Sequence, residues 1–193
     1  MKFKISKEYL FSLRYYLLFS ALLFLFSVGA GYLFAKNYPD EVEKTLEQFQ
    51  TILEPIKEMS RIQQVFFVFL NNSLTGFFAI LFGVILGFFP LLVVFANGEM
   101  LGIMIFLSEK ALPLSVFFTG IFPHGIIEIP VLIFCGAMGL KIGKKVFKKI
   151  FKKRDRIKEE MKSALSFFFK VLMPLLFLAA VIEIYITQEL LVK

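Results

Sequence analysis

The single histidine of the chain, His124, is followed one helical turn later by Glu128, within Pro123-His124-Gly125-Ile126-Ile127-Glu128-Ile129-Pro130. An imidazole and a carboxylate at i and i+4 share one helical face. Such a pair can hold a proton, bind a cation or satisfy its own members. The stretch sits inside an apolar run from Leu112 to Leu140. Ionisable groups at bilayer depth are costly and therefore face a protein interior or a cavity. Pro130 has no N–H, which leaves the Ile126 carbonyl as a further acceptor. Gly125 permits close backbone approach beside the histidine.

Three roles fit these residues: a hydrogen-bonded clasp between helices, a site for an ion, proton or ligand, or a polar patch facing a partner. A resident metal is not expected, because zinc takes at least three protein ligands and this motif supplies two. Cys135 is the only cysteine, so an internal disulfide is impossible, and a small buried hydrophobe is its ordinary role. No serine or cysteine has an arguable base and oxyanion hole. The expectation is a protein without catalytic residues or cofactor.

The elements that must position these groups are membrane helices. Hydrophobic residues make up 58% of the 193 and mean hydropathy is +0.77, above the ~45–50% apolar content of soluble domains. Several runs reach the ~20 residues a spanning helix needs, and no alternating strand pattern of the barrel type occurs. The expected fold class is all-α, a polytopic helical membrane protein of about five crossings, one short or broken, forming a single integral domain over 1–193. The runs place crossings near 17–35, 70–96, 98–111, 112–140 and 166–187. The break between the second and third is read at Asn97-Gly98-Glu99, and Pro90 is read as a kink inside the second. Lys and Arg concentrate at the N-terminus and in residues 141–163, which places both in the cytoplasm and the C-terminus outside. That basic stretch reads as a lipid-facing loop and not as a nucleic-acid site. Residues 36–64 form an extracytoplasmic amphipathic loop, with Val42, Leu46, Phe49, Leu53 and Ile56 in a helical stripe.

Counting 1.5 Å per residue from the cytoplasmic edges places His124 and Glu183 about 25 Å up, with Glu128 roughly 6 Å deeper. Asn71 and Asn72 fall near that level, so His124, Glu128, Glu183, Asn71 and Asn72 are expected to share a polar layer. Thr75, Ala79, Gly83 and Gly87 repeat at four-residue steps, a ladder that brings helix backbones together in lipid and suggests a homo-oligomer.

Asn97-Gly98 with Leu101-Gly102, the Pro123–Pro130 element, Gly136-Ala137-Met138-Gly139-Leu140 and the Ile182-Glu183 pair together resemble the stage II sporulation protein M family over roughly residues 65–187. The resemblance gives Asn97, Gly98, Pro123, Gly125 and Pro130 motif status. In spore-forming bacteria it implies a membrane scaffold that assembles with two peptidoglycan-remodelling partners and has no catalysis of its own. Other members occur in organisms that neither sporulate nor possess peptidoglycan. The expected function is therefore a non-enzymatic scaffold of the cell membrane, in contact with lipid and with partner membrane or envelope proteins. The alternative is a homo-oligomeric channel or transporter with its ion site at His124, Glu128 and Glu183.

Overall fold

The computed structural model describes residues 7–44, 58–111, 114–152 and 156–187. Among these the regular structure is entirely helical: α1 (Lys7–Asn37), α2 (Arg61–Leu81), α3 (Phe88–Ala111), α4 (Leu114–Lys152), α5 (Ile157–Phe167) and α6 (Met173–Ile182). The last two are joined by a π-helical turn, Phe168–Leu172, and a second such turn, Glu183–Thr187, follows α6. Pro174 cannot donate a hydrogen bond, and just ahead of it the ladder widens, with Met173 N–H bonding back to the Phe168 carbonyl. Five helical segments are long and apolar enough to cross a membrane, the α5–α6 unit counting as one.

The count of five agrees with the hydropathy reading, but one boundary differs. Asn97, Gly98 and Glu99 lie in the middle of α3, which is a full-length span. The chain turns instead at a 3-10 segment, Phe82–Val84, followed by Leu86 and Gly87 at φ 51° and 78°. Left-handed backbone is natural for glycine and costs other residues about 1–2 kcal/mol. Pro90 then falls in the first turn of α3, where an N–H would have no helical partner in any case. It opens a helix instead of bending one. Ser60 caps the start of α2 in a reciprocal box with Gln63, whose Oε1 accepts from Ser60 N at 2.9 Å.

Glycines set how closely the helices approach. A Cβ on Gly102 would stand 2.0 Å from the Val28 carbonyl oxygen, and one on Gly31 2.0 Å from that of Glu99. Gly98 meets Phe24 and Ser27 in the same way, so α1 and α3 pack backbone to backbone. The small-residue ladder of α2 lies against α4 of the same chain: Gly83 faces Gly139, and Gly87 lies beside Gly143. Ala79 is fully buried there, whereas Thr75 lies off this seam. The surface that suggested a second copy is thus filled internally. α4 packs on all the other helices.

Residues 141–152 extend α4 as helix. Lys141 and Glu160 are buried there and pair at 2.8 Å, with Lys145 on the other Glu160 oxygen at 3.3 Å. The Lys141 ammonium also donates to Ser12 Oγ at 2.6 Å and stands 4.7 Å from the Tyr9 ring centroid. One hydrogen bond and a ring contact on α1 and an ion pair on α5 thus tie both helices to α4. Of the amphipathic stripe only Val42 belongs to the described residues. It is buried with Ala35 and Phe106; the other four positions lie outside them.

Overpacking a backbone contact costs roughly 1–3 kcal/mol. Gly102→Ala is expected to lower the melting temperature in mild detergent. Gly29→Ala, which meets nothing within 4 Å, should be neutral or gain about 0.5–1 kcal/mol from reduced backbone freedom. A Gly102→Ala protein melting at or above wild type would rule out the tight α1–α3 seam.

Candidate polar site within the membrane

Glu128 lies on α4, about 20 Å above Lys141 by helical rise. Asn72 lies on α2 eleven residues after Arg61. The close approach of these helices through Gly76, whose added Cβ would stand 2.9 Å from Cys135 Sγ, brings the two polar side chains together. Asn72 Nδ2 donates a short hydrogen bond to Glu128 Oε1. Glu183, in the π turn after α6, stands within electrostatic range of Glu128, and Ile184 beside it is buried against Val65 and Ala180. Of the five residues expected in one layer, Asn72 and Glu128 are in contact, and Glu183 lies within electrostatic range of Glu128. Asn71 is exposed on the adjoining face, its amide 3.5 Å from Asn72 Oδ1. The backbones of Pro123 and His124 run in α4 one turn before Glu128, and their side chains lie outside the described residues. Gly125 is buried, whereas Pro130 is exposed and α4 passes through it as helix.

Beside the clasp is a cavity of about 250 Å³, bordered by Glu128 and Gly125 of α4, Asn72 and Thr75 of α2, and Asn97 of α3. Asn97, read from sequence as a helix break, is a cavity residue. Its amide donates to the Val93 carbonyl at 2.8 Å, a back-bond that lets a polar side chain sit within a membrane helix. The signal that would have revealed this is the four-residue step from Gly98 to Gly102. That spacing marks a packed helix face, and a helix continuous through Gly98 turns Asn97 toward α4.

Among the described residues no group of three or more His, Cys, Asp or Glu side chains is placed to hold a metal ion. Neither Glu128 nor Glu183 has an ion-pair partner among them. What the geometry provides is a clasp between α2 and α4, with acceptor capacity left over beside a cavity.

Five apolar helices around an intramembrane polar clasp define a multi-pass helical membrane protein. The family profile described as stage II sporulation protein M matches residues 20–188, most of the chain, and the chain belongs to that family. No curated protein and no solved structure matches it.

Leaving a buried polar group unpaired costs about 1–3 kcal/mol, more when it is charged. Asn72→Ala should therefore lower thermal stability in detergent by at least that order, while Asn71→Ala should stay within about 0.5 kcal/mol, as surface changes do. Equal melting of wild type and Asn72→Ala would show that the pair does not hold α2 to α4.

Proposed function

We propose that the chain is a non-enzymatic scaffold of the cell membrane that organises partner proteins of an envelope-remodelling assembly. The observation that carries the reading is the free tip of α4. Phe147, Ile150 and Phe151 recur at i, i+3 and i+4 and are 52%, 63% and 68% exposed, and the two rings lie 4.6 Å apart. Lys144, Lys148 and Lys149 are exposed around them. This apolar face stands beyond the Lys141–Glu160 ion pair, in a segment too basic for the hydrocarbon core. An apolar stripe rimmed by charge at the edge of the bilayer has the form of a protein docking face. Family membership supports the same reading. The lysines also suit anionic headgroups at the membrane surface. A transport reading drew on a helix broken at the polar layer, and α3 runs unbroken there.

In this reading the N-terminus, the turn at 82–87 and residues 141–163 are cytoplasmic, and the C-terminus is outside, as the positive-inside rule requires. Single cysteines on a Cys135→Ala background test it. Glu58→Cys should react with an impermeant reagent in intact cells, whereas Ile85→Cys and Ile150→Cys should react only after permeabilisation. The reverse pattern would invert the topology.

The scaffold itself is tested by photo-crosslinking in native membranes from position 150. Discrete protein adducts are expected, reduced at least tenfold by Phe147→Ser with Phe151→Ser and unchanged by His124→Ala. Adducts to lipid alone would remove the basis for a docking face.

A further inference from the structure

The cavity beside Glu128 is not needed by a docking face at the far end of α4, and its chemistry is one-sided. α2 and α3 make little direct contact, α2 packing on α4 and α3 on α1 and α4, and the cavity lies between them with α4 as its floor. Its volume of about 250 Å³ corresponds to the share of roughly eight waters in the liquid.

Among the described residues its polar border has spent donors and retained acceptors. The one hydroxyl proton of Thr75 is given to the Asn71 carbonyl at 2.9 Å. The amide nitrogen of Asn97 is turned to Val93 O and that of Asn72 to Glu128. Each amide keeps one further N–H, against two lone pairs on the Asn97 oxygen, one on the Asn72 oxygen beside its contact with Asn71, two on the threonine oxygen and most of those on the carboxylate. The balance calls for a donor, and the carboxylate calls for a cation. The remaining walls are apolar: Leu101 and Leu132 face the space, Met100 and Met104 add polarizable thioethers, and the Phe24 ring closes one side. Rings of this kind also attract cations at their faces. Met104 is 39% exposed and Asn97 is also exposed, so the cavity has a mouth at α3.

We propose that this cavity is a binding site for a small organic ammonium bearing an apolar tail, its nitrogen directed to Glu128 and the oxygens of Asn97 and Thr75, its tail lying against Met100, Leu101 and Leu132. A bare metal ion would leave the apolar walls unmatched, and an uncharged chain would bring no cation to a carboxylate that has no ion-pair partner among the described residues. The site requires both parts of the ligand.

The test is thermal unfolding of the full chain in nanodiscs of zwitterionic lipid with three probes at matched concentration. Hexylammonium chloride carries cation and tail, 1-hexanol the tail without the cation, and sodium chloride a cation without the tail. A saturable rise of several degrees is expected with hexylammonium only. That rise should be lost in Glu128→Gln, which can still accept from Asn72, and in Met104→Trp, which fills the mouth and leaves the carboxylate in place. An equal rise with 1-hexanol would reduce the site to an apolar crevice. An equal rise with sodium would make it an inorganic cation site, and an undiminished hexylammonium effect in Glu128→Gln would remove the carboxylate from it. Each of these overturns the proposal, as does the absence of any rise in the wild-type protein.

Discussion

In lipid a helix gains nothing by hiding apolar side chains from water, so helices hold together only as well as their surfaces fit. In this chain the fit is set by the missing side chains of a few glycines. Gly139 and Gly143 let the α2 backbone and its terminal turn lie against α4, and Gly31, Gly98 and Gly102 do the same between α1 and α3. Remove that closeness between α2 and α4 and Asn72 no longer reaches Glu128. The polar contacts follow from the apolar packing.

Two polar layers result, and they differ in charge balance. The lower one sets Glu160 between Lys141 and Lys145, with Lys141 also bonded to Ser12 and beside the Tyr9 ring. A buried pair of this kind contributes little net stability against apolar replacements, yet losing one member is severe. It fixes which helices meet. The upper layer joins Asn72 to Glu128, adds the acid Glu183, and among the described residues has no lysine or arginine in an ion pair with either. A matched layer holds a structure closed. An acceptor-rich layer at a cavity is suited to something that arrives.

Much of this was legible in the amino-acid sequence, and the failures share a cause. Hydropathy and length yield five crossings because a bilayer demands about twenty apolar residues for each. Helical rise alone places Asn72, Glu128 and Glu183 at comparable depth. The error lay in treating glycine and asparagine as punctuation. At Asn97-Gly98 the glycine serves packing and the asparagine bonds to its own helix, while the true turn at Leu86-Gly87 is hidden in an uninterrupted apolar run. The turn bonds its own backbone, with the N–H groups of Ile85, Gly87 and Phe88 on the carbonyls of Phe82, Gly83 and Ile85, so no polar side chains announce it. The Lys141–Glu160 pair escaped notice for the converse reason: charges in a basic run suggest solvent, and only the three-dimensional neighbours on α1 and α5 bury them. The four-residue spacing marks a contact surface without naming its partner: Ala79, Gly83 and Gly87 lie against α4, more than fifty residues further along the chain, and Thr75 lies off that seam.

The length of α4 has a mechanical consequence. At 39 residues it is about 58 Å long, nearly twice the ~30 Å hydrocarbon core, and roughly 17 Å of it extends past Lys141. The helix is a lever whose fulcrum is the glycine seam with α2 and whose short-range latch is the Glu160 ion pair. A few degrees of tilt at the fulcrum sweep the Phe147–Phe151 tip sideways by an ångström or more, while Glu128 moves the opposite way on the far side of the pivot. The Phe147–Phe151 tip and the cavity residues Gly125 and Glu128 therefore lie on opposite arms of one helix, either side of the glycine seam.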